Sequence, residues 1–477
     1  MNLFKKEDKK ATKNSSLLKY GGYASVMTAV VIVAVIIINL AVSSLNIQFD
    51  LTKNKLYSLS EDTITLLKDL DEDVSITSVY AEGSEISVVT EIIKKYANYS
   101  DHVTYQNVDP YTNPGFAAKY AQNGDVVSIG SVVVETEEGY KIIAQDDLAD
   151  VMVDSATGQS YMQGIKLESV LTGAIRMLTS GETQNVYALT GHSEIAISED
   201  LTTEFSYSGF TVNTLDLVTA GNVPEDCVML IINGATTDIS TKELDAINAY
   251  LNNGGSLFIT TGITTEPMTN LNSLLANYGV EDNKVMIIEG DANSVYNNNP
   301  FYIIPKLNEE NSITSAMVTN GTNVFMPFGS SIDLSEAKRS TVEITTLAET
   351  SENSYGKDLN TMSGYEYTEG DPTGPFNIAV AIEDSATGAK LVVCGSEALF
   401  ESDINAVVNG GNYGFILNAS DFLTGNENAA RSKSLGADSY LQLTAGKAVV
   451  IMAVSVIVIP VAILIAGLAV TLRRRNK

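Results

Sequence analysis

Gly191-His192-Ser193-Glu194 is the segment of this chain best equipped for chemistry. An imidazole and a carboxylate two positions apart, on a turn directly after the apolar run NVYALT, can work as an acid and base pair or hold a polar ligand. Asn233-Gly234, which closes the apolar run CVMLII, forms a second turn of the same kind. Ligands of doubly wound sheets bind outside such strand ends. Both turns also have a structural reading. Gly191 makes the tight bend, His192 and Glu194 satisfy backbone groups at a helix start, and the loop from Asn233 to Asp238 ends in an N-cap. No nucleophile accompanies the pair, which favours a structural or ligand-contact role over catalysis. Gly191, His192, Ser193, Glu194, Asn233 and Gly234 are therefore the expected ligand-binding set, with no catalytic residue and no metal ligand assigned.

Other combinations carry less. Ser396 and Glu397, after KLVVCG, could join His192 in a Ser-His-Glu set, but a lone Ser after a strand is common. The later part of the chain resembles the class I glutamine amidotransferase type of α/β fold, which needs a Cys at a sharp strand-to-helix turn and a His to activate it. Cys227 precedes its strand, Cys394 lies inside one, and no His follows Cys394. Amidotransferase chemistry is not expected. Cys227 and Cys394 are the only cysteines and read as small buried hydrophobes, with a disulfide between them left open. His102 and His192 are the only histidines, too few for a multi-histidine metal site. Asp71-Glu72-Asp73 and Asp146-Asp147 lack the spaced oxygens of a calcium loop and read as solvated.

The elements that must position these residues follow from periodicity. From Asp73 the order is strand (VSITSVY), amphipathic helix (ISVVTEIIKKYANYS), strand (VTYQNVD), short helix (Pro114 to Ala121), then two strands (SIGSVVVET and GYKIIAQ) around Glu138-Gly139. This β-α-β-α-β-β order is that of a thioredoxin-like domain. A redox role would need Cys-x-x-Cys where Ala81-Glu82-Gly83-Ser84-Glu85 stands, so it is excluded by residue type. A helix from about Lys166 to Leu178 reads as the bridge to a second domain. There the strands NVYALT, FTVNTLDL, CVMLIING and SLFIT alternate with helices at Leu201 to Tyr207 and ELDAINAYL, which predicts a parallel, doubly wound sheet. Beyond Met268 lie a helix near Leu271 to Tyr278, the strands KVMII, NIAVAIE and KLVVCG, and a last helix in FILNASDFLTG. Asn-, Gly- and Ser-rich stretches around 290–300 and 350–375 read as surface loops.

Charge and hydropathy frame the whole. With 58 acidic against 29 basic residues the net charge is −29, an acidic field that repels phosphate and excludes a nucleic-acid binder. Apolar segments from Gly22 to Ser44 and from Ala445 to Leu472 are each long enough for a transmembrane helix, with Lys or Arg clusters on their outer sides. The expectation is a two-pass cell-membrane protein, both termini cytoplasmic and the large middle extracytoplasmic. Ala41-Val42-Ser43 loosely resembles a signal cleavage site, but the apolar run exceeds a signal h-region. Neither segment has an ionisable residue in its centre, so each reads as an anchor and no transport pathway is expected.

Several long phrases resemble one family. FDLTKNKLYSLSEDTITLLKDLDEDVSIT, ALTGHSE, VPEDCVMLIINGATTDISTKELDAINAYLNNGGSLFI and LVVCGSEALF with NYGFILNASDFLTG are similar to the Gldg family, gliding-motility-associated auxiliary components of ABC-type transport systems. The resemblance runs from Phe49 to the end and implies separate ATPase and permease subunits as partners and no enzyme activity. No G-x-x-x-x-G-K-S/T pattern occurs, so ATP hydrolysis by that route must belong to another polypeptide.

The expected organisation is α/β, anchored at both ends. A basic tail (1–21) and a transmembrane helix (22–44) precede a thioredoxin-like domain without CxxC (45–150) and a linker with bridging helix (151–182). An amidotransferase- or flavodoxin-like α/β domain (183–425), a linker (426–444), a transmembrane helix (445–472) and a basic tail (473–477) follow. The expected function is a non-enzymatic auxiliary subunit without cofactor, meeting the bilayer, an ATPase and a permease. The alternative is a membrane-anchored extracytoplasmic hydrolase using His192.

Overall fold

The computed structural model describes residues 56–121, 124–153, 160–179, 184–281, 284–335, 337–425 and 433–434, with residues 27, 30–33 and 467 given as helical. It corrects one expectation at once. Among the described residues no helix is long and apolar enough to cross a membrane. The longest helix whose bounds are given, Gly411–Thr424, has 14 residues, whereas a span needs about 20. Anchorage at both ends and the two-pass topology with cytoplasmic termini are therefore not retained. Hydropathy supplies apolar length, but the sidedness rule needs a continuous helical span to act on. Segments 22–44 and 445–472 lie, apart from the helical residues just named, outside the described residues.

The first lobe begins with α1 (Glu61–Lys68), capped by Ser60, whose hydroxyl accepts from the Thr63 N–H. β1 (Val74–Val79), α2 (Ser87–Tyr99), β2 (Val103–Val108), α3 (Pro114–Ala121), β3 (Val132–Glu135) and β4 (Tyr140–Ile143) follow in the β-α-β-α-β-β order expected from the pattern. The sheet order is β2-β1-β3-β4, with β1 parallel to β2 and antiparallel to β3. Val89, Ile92, Ile93 and Tyr96 recur at helical spacing on α2 and are buried against Ile76 of β1.

After the hairpin of β5 (Ala149–Val153) and β6 (Ser160–Ile165) comes α4 (Leu167–Thr179), the helix expected to bridge the domains. It forms a wall of the first lobe's core. Leu167, Val170, Leu171, Ala174 and Ile175 are buried there, and Arg176 Nη2 donates to both Asp62 oxygens at 2.9 Å. Lys433–Ser434 returns to this lobe and pairs antiparallel with Gly164 and Ile165 of β6.

The second lobe is α/β. β7 (Gln184–Leu189), α5 (Glu199–Tyr207), β8 (Phe210–Leu215), β9 (Cys227–Ala235), α6 (Thr241–Asn252), β10 (Ser256–Thr261) and α7 (Thr269–Ala276) alternate as expected. β11 (Val342–Glu349), β12 (Asn377–Asp384), β13 (Lys390–Cys394) and α8 (Gly411–Thr424) complete it. The eight-stranded sheet runs from the short strand Lys306–Leu307 through β11, β12, β13, β10, β9 and β7 to β8. β13, β10, β9, β7 and β8 are parallel, while β12 runs opposite to them and pairs antiparallel with both β13 and β11. The antiparallel part has a local cause. β12 and β13 are joined by the tight turn Asp384 to Gly388, where Gly388, at φ +80°, donates to the Asp384 carbonyl at 2.8 Å. A connection that short cannot make a parallel crossover.

Residues alternate across the sheet. Met229 and Ile231 of β9 join Phe205 of α5 and Phe415 of α8 in one apolar cluster, and Leu230 and Ile232 join Ile247 of α6 and Leu274 of α7 in the other. Helices thus cover both faces. The lobes meet closely where α4 passes α5: a Cβ on Gly173 would lie 1.8 Å from the Tyr207 carbonyl oxygen. Lys166 pairs with Glu204 at the same junction.

Candidate functional site

The chain leaves β7 for the edge strand β8 and returns across β7 to β9. The loops after β7 and β9 therefore diverge at a topological switch point, the place where open α/β sheets hold ligands. His192 follows β7, and Asn233 and Gly234 lie at the end of β9, so the structure brings all the residues expected from sequence to this one end of the sheet.

They are joined by hydrogen bonds. The Thr236 and Thr237 N–H groups both donate to the His192 carbonyl, at 3.0 and 3.1 Å. Ile195 N–H donates to the Asn233 carbonyl at 2.9 Å, and Asn233 Nδ2 returns a 2.9 Å bond to the Ile195 carbonyl. Thr260 of β10 donates to Asn233 Oδ1 at 2.8 Å. The loop after β7 is thereby sewn across the switch point. Gly191 at φ +118° and Ser193 at φ +63° make the bend, and both are exposed.

His192 itself points inward, with its side chain 7% exposed between two carboxylates. Its Nδ1 lies 3.1 Å from Glu194 Oε1, and its Nε2 lies 3.2 Å from Glu243 Oε1 and 3.3 Å from Oε2. With acceptors on both ring nitrogens the imidazolium, donor at both, is the form that fits. The Glu194 hydrogen bond raises the His192 pKa above its ordinary value, against the opposing effect of burial. For Glu194 burial acts upward, but the His192 side chain and backbone N–H outweigh it and hold the carboxyl below its usual range. Glu243 behaves likewise, with burial overcome by Ser240 and His192.

Glu243 is the member that sequence reasoning missed. It is the far half of a capping box, its Oε2 accepting the Ser240 N–H at 2.8 Å while Ser240 caps α6. The S-x-x-E spacing was readable; its approach to a histidine 51 positions earlier was not.

The Ser-His-Glu combination is not assembled. Ser396 Oγ donates to the Pro327 carbonyl at 2.7 Å, and Glu397 Oε2 accepts the Ile263 N–H at 3.1 Å. Glu397 packs instead on Gly234, where φ is +66° and an added Cβ would lie 2.6 Å from the Glu397 Cβ. Both cysteines are free and buried. Burial pushes the Cys227 thiol up to about 11 and raises Cys394 further, the opposite of an activated nucleophile. Asp73 of the first acidic turn accepts from exposed His102 at 2.8 Å. Among the described residues no group of three or more His, Cys, Asp or Glu is placed to hold a metal ion.

A family model described as an ABC-type uncharacterized transport system (ABC_transp_aux) matches residues 183–424, and one for a domain of unknown function, DUF7088, matches residues 53–148. No curated protein matches the chain. Among solved structures it is similar to the mmIFT52 N-terminal domain, at 14% identity and TM-score 0.36 over 50% of this chain and 97% of that one. It is also similar to PurLQS from Thermotoga maritima, at 11% identity and TM-score 0.29 over 50% and 98%. A third likeness is to the exo-beta-1,4-mannosidase Op5Man5 from Opitutaceae bacterium strain TAV5, at 9% identity and TM-score 0.26 over 70% and 48%. At these scores the structural likenesses carry no argument.

Proposed function

Because the chain belongs to the family described as an ABC-type uncharacterized transport system, and is thus an auxiliary component of such a system, we propose that it works without catalysis of its own beside separate ATPase and permease subunits. The family match over residues 183–424 carries this reading. Two features support it. The sequence has no phosphate-cradling G-x-x-x-x-G-K-S/T loop, so nucleotide hydrolysis by that route falls to another subunit. His192 has a carboxylate on each ring nitrogen, which leaves no nitrogen to activate a hydroxyl. The Gldg-like phrases support reading it with the gliding-motility-associated type of such auxiliaries.

In this reading the switch-point turn is a contact surface. Gly191 and Ser193 meet a transported molecule or a transporter subunit, and His192, Glu194, Asn233 and Gly234 hold the turn in shape. Affinity purification of the full-length chain from its own cells, with the co-eluting proteins identified by mass spectrometry, tests the assignment. Recovery of an ABC-type ATPase and a permease is the expected result. A chain that elutes with neither would overturn it.

A further inference from the structure

Aromatic rings from three loops of the second lobe form a connected ribbon. Tyr302 meets Phe328 at 5.8 Å between centroids and 88°, Phe328 stacks on Phe301 at 6.0 Å, and Phe301 meets Tyr365 at 6.0 Å and 75°. The Tyr355 hydroxyl donates to the Tyr365 carbonyl at 2.7 Å, and the Tyr355 ring meets Tyr367 at 5.5 Å. Rings that pack so closely usually bury one another. Here Phe328 is 41% exposed, Tyr365 55% and Tyr367 53%.

Phe328 is held in a costly conformation. Its φ is +52°, in the left-handed region where a bulky residue is an outlier. Neighbouring hydrogen bonds enforce it: the Phe328 N–H donates to the Phe301 carbonyl at 2.8 Å, Ser396 Oγ to the Pro327 carbonyl at 2.7 Å, and the Ile287 N–H to the Gly329 carbonyl at 2.8 Å. Strain of this kind persists at ligand clamps when the surrounding core over-determines it. The same bonds fix the ribbon beside Gly395 and Ser396, just past β13, on the carboxyl side of the parallel strands.

The ribbon's charge is one-sided. Tyr365 and Tyr367 bracket Glu366, and Glu369 follows. Lys357, the basic residue of the 353–376 segment, is taken by Asp371 and Thr368. Burial first and the Glu366 carboxylate second push the Tyr355 phenol above its ordinary value, so Glu366 acts on these rings. Aromatic faces attract cations through their quadrupole, and flanking carboxylates reinforce that attraction. A neutral apolar ligand gains from the rings and nothing from the acids.

We propose that Phe328, Tyr365 and Tyr367, with Glu366, bind a small organic cation of the quaternary ammonium class. The site is independent of the transporter assignment, because it can be read on the isolated full-length chain. The probe is choline, compared by calorimetry with its uncharged carbon isostere 3,3-dimethylbutan-1-ol. Choline should bind about tenfold more tightly than the isostere, and Phe328→Leu or Tyr365→Leu should weaken choline several-fold while leaving the isostere nearly unchanged. Phe328→Gly gives a second readout. It relieves the positive φ, which offsets part of the lost ring packing, so it should still unfold in one cooperative transition, yet lose choline binding. Equal affinity for the two probes, no choline binding, or choline binding untouched by the ring replacements would each overturn the proposal.

Discussion

His192 Nε2 lies 3.2 Å from Glu243 Oε1 and ties the turn after the first strand of the second lobe to the N-terminus of helix α6. His192 comes from the loop after β7 and Glu243 from the first turn of α6, which follows β9, on opposite sides of the switch point. With Glu194 on the other ring nitrogen, one buried cation is shared by two buried carboxylates. Several expectations rest on this arrangement and on the packing around it.

Removing the cation should cost more than removing the whole set. His192→Ala leaves two buried carboxylates with their backbone N–H bonds but no counter-charge, and should lower stability by about 3–5 kcal/mol, the usual cost of breaking a buried pair from one side. A chain that also carries Glu194→Gln and Glu243→Gln should recover part of that loss. Urea unfolding midpoints measure both, and equal losses would contradict the charge argument.

Stability should decline with rising pH in a window that this histidine sets. The His192 pKa is raised in the folded state from 6.5, so the folded protein binds the proton more tightly and the stabilisation is fully present below 6.5. It is lost as pH rises through the folded value. Glu194 and Glu243 are lowered from 4.5, so their contribution is present above 4.5 and is lost as pH falls through their folded values. A stability plateau between these limbs is expected. Unfolding curves for the wild type and His192→Gln should differ by an amount that shrinks as the medium becomes alkaline.

Gly234 and Gly173 should not accept alanine, for different reasons. At Gly234 the φ of +66° alone costs about 1–2 kcal/mol, and Glu397 Cβ stands 2.6 Å from the new methyl. At Gly173 the obstacle is the Tyr207 backbone carbonyl at 1.8 Å, which no rotamer can move aside. Gly173→Ala should split one calorimetric transition into two as the lobes uncouple. Gly234→Ala should lower a single transition without splitting it.

The two thiols should be silent in the folded protein. Both cysteines are free and buried, with the Cys227 thiol pushed up to about 11, so a thiol reagent at neutral pH should label neither until denaturant is added. Both should then react without prior reduction. Labelling that requires a reductant would reveal a disulfide.

Much of the fold was legible because local rules and burial agree. NVYALT, CVMLIING and SLFIT are apolar because the parallel strands they form are covered on both faces, and Ser240 with Glu243 announces a helix start. The antiparallel strands were less legible, since NIAVAIE reads the same in either direction. The short Gly-containing link from Asp384 to Gly388 was the available clue to a hairpin. At the candidate site the turn residues were found from their place after strands, whereas Glu243 needed the fold to bring it to His192. The aromatic ribbon was hidden in stretches rich in Asn, Gly and Ser, whose composition spoke of loops while their rings came together across the sequence. The apolar ends show the reverse error, in which length and hydropathy were taken for an architecture that the described helices do not provide.

The return of Lys433–Ser434 to β6 has a mechanical consequence. The chain enters the second lobe after α4 and comes back to pair beside the strand that precedes α4, so the second lobe is a closed excursion from the first. Tension drawn between residues 56 and 434 falls first on the short ladder at Gly164 and Ile165. The eight-stranded sheet, with the switch-point turn and the aromatic ribbon, is spared that load until the ladder gives way.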